Sequence, residues 1–347
     1  MIKQDKPKSL LIIYTGGTIG MVQDPESGAL HPLLFDNMVD EIPELKSSTY
    51  QLSSYAFSPL IDSSNVNPEV WIKLAHIIEE NYEHFDGFVV LHGTDTMTYS
   101  ASALSFMLEN LGKPVVFTGS QLPIDIPRTD AKKNLLTAID IAASTHEGKP
   151  VLCEVAIFFQ NILFRGNRTI KHNAEEFKAF QSYNYPALAE SGVHIRFNYP
   201  AITESPDGKK FSVNSKINTN LMLLKIYPGI NHEYVRNIFK TGNLRAVILE
   251  TYGAGNAPDD PWFLNAVEDA IKRDIIILNI TQCAQGAVEM GLYDTSRLLE
   301  KLGVISGHDM TTEAAITKMM HLLGKYKTTE EIKNDLNKSL RGEISIS

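Results

Sequence analysis

The 347-residue chain predicts an α/β fold, with a larger N-terminal three-layer domain around a parallel or mixed sheet and a smaller C-terminal α/β domain. Three observations carry this expectation. Short apolar, β-branched runs alternate with amphipathic stretches, the βαβα order of a parallel sheet covered on both faces. Between Phe197 and Asn220 that pattern dissolves into Pro, Ser, Asn, Asp and Lys around Asp207-Gly208, and then it resumes. The length suits about two domains of ordinary size.

The elements follow in order along the chain. Leu10–Tyr14 reads as the first buried strand, and the polar stretch Gln23–Pro32 as a surface loop. Tyr50–Phe57 is the second strand. Asn67-Pro68-Glu69 starts a helix, with Asn as the cap, Pro at the first helical position and an acid in the first turn. Trp71, Leu74, Ala75 and Ile78 then share one face of it. Phe88–Leu91 is a strand, and a helix around Ser100–Leu111 stops at Gly112. Val115–Thr118 (strand), Ala131–Ala143 (helix) and Cys153–Phe159 (buried strand) continue the alternation. The expected division is a domain over 1–196, a linker over 197–220 and a second domain over 221–347. That second domain holds strands at Leu221–Tyr227, Ala246–Glu250 and Ile275–Ile280. Its helices are expected at His232–Phe239, Asp260–Arg273, Thr312–Leu323 and Thr329–Leu340.

Composition narrows the function. Hydrophobic residues at 43% and charged residues at 21% describe a globular chain with enough apolar material for a core. A formal net charge of −9 argues against nucleic acid as a partner, because phosphate binding needs a basic face. Nothing approaches the roughly 20 apolar residues of a membrane span. Leu10–Tyr14 is shorter than the core of an export signal, and Cys153 and Cys283 read as isolated free thiols. The expectation is a cytoplasmic protein.

Two segments carry the chemistry: Thr15-Gly-Gly-Thr-Ile-Gly20 and His92-Gly-Thr-Asp-Thr-Met97. Each follows a buried strand, and ligands of open α/β sheets bind outside the carboxyl ends of strands. Thr18 is flanked by small residues there, and Gly16 and Gly17 leave their amides accessible to a developing negative charge. A threonine hydroxyl attacks an amide only with a base and a stabilised oxyanion. Two readings of Thr18 stay open, a nucleophile or the cap of a tight Gly-Gly turn. Thr94 and Asp95 offer a second hydroxyl and a carboxylate; Asp95 reads either as a helix cap or as a partner for an ammonium group.

Lys171 follows Arg165-Gly-Asn-Arg168. In a water-poor cleft a lysine has a lowered pKa and serves as a base, whereas by residue type alone it is a surface lysine. The Asp62-Ser63-Ser64 cluster suits a substrate carboxylate or amine, or simply a turn. His92, inside a tight strand-end turn, reads as structural. No metal-ligand spacing, dinucleotide fingerprint or Walker-type Gly-Lys-Thr is present, so no cofactor is expected.

At this point the chain resembles a known family. The two segments look like the paired signatures of the bacterial-type L-asparaginase/glutaminase family, closest to its cytoplasmic type I branch. The likeness extends through Thr118-Gly-Ser-Gln121, Phe164-Arg-Gly-Asn-Arg168, Tyr252-Gly-Ala-Gly-Asn256 and Leu340-Arg-Gly-Glu343. The resemblance implies L-asparagine as substrate and a homodimer or homotetramer with no cofactor. By it, Thr18 matches the nucleophile, and Thr94, Asp95 and Lys171 match a threonine–aspartate–lysine group. Ser63 and Asp95 match groups holding the substrate's α-carboxylate and α-amine, with Gly17, Asp62 and Ser64 beside them.

Two departures stand out. The loop tyrosine many members use is missing from Gln23–Leu30, and Tyr293 is the candidate to supply that phenol, against the reading of an ordinary packed tyrosine. The allosteric arginine of some type I members is replaced by Glu250-Thr251-Tyr252, although Asn256 and Cys283 are in place. Two competing functions are an ammonia-supplying amidotransferase subunit and a silent amino-acid sensor. The few residues before the first motif and the acidic charge count against the former; retention of Thr18, Thr94, Asp95 and Lys171 together counts against the latter.

Overall fold

The computed structural model describes residues 7–23, 30–32, 42–46, 48–206, 208–291 and 294–345. The chain divides into two units, Met1–Val213 and Asn214–Ser347, a division that falls inside the 197–220 stretch.

An eight-stranded sheet organises the first unit. Its strands are β1 (Ser9–Tyr14), β2 (Gln51–Ala56), β3 (Gly87–Leu91), β4 (Val115–Thr118), β5 (Val155–Phe159), β6 (Ile162–Arg165), β7 (Ala189–Ser191) and β8 (Ile195–Phe197). Across the sheet the order is β8-β7-β6-β5-β4-β3-β1-β2. The pairs β2–β1, β1–β3, β3–β4 and β4–β5 are parallel. The last three strands add antiparallel to that edge. The parallel part thus has the doubly wound order 2-1-3-4-5, and its direction reverses between β1 and β3. That is where both signature segments begin.

Side-chain alternation sends successive strand residues to opposite faces. Leu10, Ile12 and Tyr14 of β1 and Val89 and Leu91 of β3 pack with Leu135, Ala138, Ile139 and Ala142 of α3 (Ala131–Ala143). Leu11, Ile13, Phe88 and Val90 are buried as well. Helix α2 (Met97–Met107) packs against β5, and α1 (Pro68–Asn81) packs against α2. With both sheet faces covered, the strands read as continuous apolar runs. The helix start at Asn67 is built as its residues imply, its side chain accepting from the amides of Glu69 (3.0 Å) and Val70 (3.3 Å).

Some expectations are corrected. The helix placed at Ser100–Leu111 runs from Met97 to Met107. It ends early because Leu108–Glu109 pair antiparallel with Ser212–Val213, and Asn110 takes a left-handed φ of 55°. The Gln23–Pro32 loop is bounded by a short ladder, Met21–Gln23 against Leu30–Pro32, and residues 24–29 lie outside the described residues. Strands β6, β7 and β8 were not anticipated; β7 and β8 are three residues each, with the exposed charges Glu190 and Arg196 at their centres.

The second unit has a parallel sheet in sequential order: β9 (Leu221–Lys225), β10 (Ala246–Thr251), β11 (Ile276–Thr281) and β12 (Ile305–Ser306). Val247 and Leu249 share a core with Phe239 of α4 (His232–Phe239), Phe263 of α5 (Pro261–Lys272) and Leu299 of α6 (Asp294–Leu302). Ala246 and Ile248 face the other way, onto Met319 and Leu322 of α7 (Thr312–Lys325) and Ile332 of α8 (Thr329–Leu336). The last helix, expected to reach Leu340, stops at Leu336 because the carbonyls of Leu336 and Lys338 turn onto the buried Lys318 ammonium at 3.0 and 2.7 Å.

Candidate active site

Close backbone contact assembles the site. Thr15 follows β1 and donates to the Leu91 carbonyl through both its amide (3.0 Å) and its hydroxyl (2.9 Å), locking the first loop to the end of β3. Gly17, at φ 92°, lies so near Gly93 that a Cβ on it would sit 2.5 Å from the Gly93 nitrogen. Gly93 in turn has no room for a side chain, since its Cβ would fall 2.5 Å from Ser63 Oγ. Three loops therefore meet where only glycine fits. Thr18 and Thr94 each stand one residue beyond such a contact.

Thr18 opens a single 3-10 turn, Thr18–Gly20, and is half-buried. Beneath the turn, the Tyr14 hydroxyl donates to the Gly20 carbonyl at 2.9 Å. Burial pushes that phenol's pKa up, which keeps it a neutral donor.

The second cluster spans residues far apart in sequence. Lys171 lies on a two-stranded ladder, Ile170–Lys171 against Phe180–Gln181. Its Nζ donates to Thr94 Oγ1 at 2.8 Å and to Asp95 Oδ1 at 2.6 Å. The lysine side chain is 15% exposed and the Asp95 side chain 64%. An ion pair with so exposed a carboxylate contributes at most about 1 kcal/mol to folding. Asp95 therefore keeps an open face toward solvent, where a ligand ammonium can bind.

Ser63 is buried beside Gly93, and its carbonyl accepts from Thr96 Oγ1 at 2.7 Å. Asp62 and Ser64 are occupied with each other: Asp62 Oδ1 accepts from the Ser64 amide and hydroxyl, both at 2.8 Å. Those bonds hold the Asp62 carboxyl below its usual range. The structure thus gathers Gly17, Ser63, Thr94, Asp95 and Lys171, while Asp62 and Ser64 cap the turn beside them. Tyr293 lies outside the described residues.

His92 is buried and fully bonded. Its Nδ1 donates to the Gly93 carbonyl (2.7 Å), and its Nε2 accepts from Ser100 Oγ (2.9 Å), which itself accepts from Trp71 Nε1 (3.0 Å). Only this tautomer satisfies all three contacts. Burial lowers the imidazole pKa to about 4, so the ring stays neutral as a strut.

One residue near the site escaped sequence reasoning. Gln121 accepts from Thr94 Oγ1 at 3.4 Å through its side-chain oxygen. The only available signal was its place in the Thr118-Gly-Ser-Gln121 segment, which names no role.

A doubly wound fold with hydroxyls, an ammonium group and a carboxylate at its switch point defines an α/β enzyme class. Residues 9–203 match the family model described as Asparaginase, N-terminal, and residues 220–335 match that of the Glutaminase/Asparaginase C-terminal domain. The chain belongs to the asparaginase family. It is 44% identical over 344 residues to L-asparaginase 1 of Escherichia coli, covering 97% of this chain and 98% of that protein. The crystal structure of L-asparaginase I from Vibrio cholerae superposes with a TM-score of 0.89 at 41% identity, covering 98% of this chain and 100% of that one. A glutamyl-tRNA(Gln) amidotransferase subunit of Pyrococcus abyssi is 33% identical across 96% of this chain and 76% of its own length. No helix among the described residues is long and apolar enough to cross a membrane.

Proposed function

We propose that the chain hydrolyses L-asparagine to L-aspartate and ammonia through a threonyl acyl-enzyme. The observation that carries the reading is the Lys171–Thr94–Asp95 cluster, held beside the Gly17–Gly93 contact that adjoins Thr18. In the first step Thr18 Oγ bonds to the side-chain amide carbon, the C–N bond breaks, and the hydroxyl proton ends on departing ammonia. In the second, water's oxygen bonds to the acyl carbon and its proton returns to the Thr18 oxygen, releasing aspartate. Lys171, acting through Thr94, carries the protons. Asp95 and Ser63 hold the α-amine and α-carboxylate, with Asp62 and Ser64 shaping the turn beside them. Tyr293 is the phenol that assists Thr18. The active unit is a homodimer or homotetramer in the cytoplasm.

With the amino-acid end fixed, the reach to Thr18 is set. One extra methylene, as in glutamine, displaces the amide carbon, and about 1 Å of misplacement costs on the order of a hundredfold. The purified chain is expected to release ammonia from asparagine with kcat/KM roughly a hundredfold above that for glutamine. Thr18→Ala is expected to lose nearly all turnover while still binding aspartate. Near-normal turnover by Thr18→Ala removes the nucleophile assignment. Ammonia release only with an added tRNA-amidotransferase partner favours a second reading, raised by the 33% identical Pyrococcus relative.

A further inference from the structure

Gln121 lies at a junction between the two parts of the Lys171 cluster. Its main chain is pinned from behind, its amide donating to both carboxylate oxygens of Asp130 at 3.0 and 3.1 Å. Asp130 also accepts from the Leu122 amide at 3.2 Å and from Asn134 Nδ2 at 3.1 Å. Asn134 is fully buried and bridges onward to the Gly119 carbonyl and the Gln160 amide. The Gln121 backbone thus stands on a bonded base, and its half-buried side chain extends from it.

That side chain spans two elements. Nε2 donates to the Glu176 carbonyl at 3.0 Å, and Oε1 accepts from Thr94 Oγ1. A carbonyl only accepts, so the orientation of the amide is settled by chemistry: its NH2 faces Glu176 and its oxygen faces Thr94. Glu176 lies in the turn joining Ile170–Lys171 to Phe180–Gln181, a turn closed by His172 and Asn173 amides on the Ala179 carbonyl. Inside it, Asn173 Oδ1 accepts from the Glu175 and Glu176 amides. Gln121 is therefore hydrogen-bonded both to Thr94 and to the ladder turn that presents Lys171.

The Thr94 hydroxyl has one proton and two lone pairs. Lys171 Nζ occupies a lone pair at 2.8 Å, so the proton is left to point elsewhere, and it points at Gln121. At 3.4 Å that bond is long and weak, easily exchanged for one to a reacting atom. We infer that Gln121 is a positioning residue, which parks the Thr94 proton at rest and tethers the 172–179 turn so that Lys171 stays aligned on Thr94.

This inference rests on the catalytic reading of Lys171 and Thr94. The test replaces Gln121 with Met, which matches its length and makes neither bond, and with Glu, which keeps an acceptor and loses the donor. For Gln121→Met, kcat on asparagine is expected to fall roughly tenfold to thirtyfold, the scale of one or two aligning hydrogen bonds. KM should change less than about threefold, the unfolding midpoint should hold, and amides of the 172–179 turn should exchange faster with solvent. Gln121→Glu should fall between wild type and the Met variant. Wild-type kcat in Gln121→Met overturns the inference, as does a fall in kcat matched by lost unfolding stability, which marks a merely structural residue. Lys171→Met is measured alongside. Full activity in that variant defeats the catalytic reading itself, whereas an inactive Lys171→Met beside an unaffected Gln121→Met defeats only the role given to Gln121.

Discussion

Two lysines, one in each unit, show how the molecule uses the same side chain in opposite ways. Lys318 of α7 is fully buried, and its ammonium meets Glu343 Oε1 at 2.6 Å and the carbonyls of Leu336 and Lys338. Three donors find three acceptors. Glu343 is satisfied too, accepting from the amides of Leu340 (3.0 Å) and Arg341 (2.7 Å). Burial lowers the Lys318 pKa and the Glu343 carboxylate opposes that shift. Lys171 instead meets one hydroxyl and one largely exposed carboxylate. A closed set of partners leaves nothing for chemistry, while an open set leaves a hydroxyl and a carboxylate for a ligand. The sheets differ in the same sense: the first unit's strand order reverses between β1 and β3, whereas among the described residues the second unit's strands run in sequence without such a reversal.

The sharpest way to break this contrast is to remove each ammonium in turn. Lys171→Met is expected to lower kcat by roughly a hundredfold to ten-thousandfold, the range of a positioned proton carrier, with KM changed far less. Its urea midpoint should move little, since the pair with Asp95 contributes at most about 1 kcal/mol. An effect confined to KM makes Lys171 a binding group and blurs the distinction.

How far this was readable in the sequence follows from the same pair. The frame was legible where signals are local: the apolar runs of β1 and β3, the Asn67-Pro68-Glu69 helix start, and the glycines at 16, 17 and 93 that let loops touch. Lys171 was not legible by type, because its partners lie 76 and 77 residues away and nothing near it marks a cleft. Only likeness to a family singled it out. The Leu340-Arg-Gly-Glu343 segment had likeness but no explanation until Lys318 was seen beneath it. Gln121 needed three partners from three regions, so no window of sequence contains its role.

Lys318→Met sharpens the comparison from the other side. It leaves the Glu343 carboxylate buried without its cation, and breaking such a pair costs about 3–5 kcal/mol. The expected result is a large drop in the urea midpoint at pH 7, with kcat per folded molecule unchanged. Loss of turnover in folded Lys318→Met would show that a closed set of partners does not mark a structural residue.

His92 supplies the smallest and most exacting case, because it adjoins the site yet has the closed bonding of Lys318. Its folded pKa of about 4 lies below the ordinary histidine value near 6.5. The unfolded chain therefore takes up a proton on this group first as pH falls. The sign is fixed: stability from the neutral ring is complete above about pH 6.5 and is lost progressively toward pH 4. By pH 5 the loss is about 2 kcal/mol. His308 is also depressed by burial and contributes in the same direction, so wild-type stability alone does not isolate His92. His92→Asn does, since its amide can still donate to the Gly93 carbonyl and does not titrate. Stability of the two proteins, measured by urea unfolding between pH 7 and pH 5, should converge as pH falls, the variant losing about 2 kcal/mol less. Parallel curves over that range would mean that His92 takes up its proton as readily in the folded chain as in the unfolded one, and a ring that titrates freely beside Gly93 would be an open group after all.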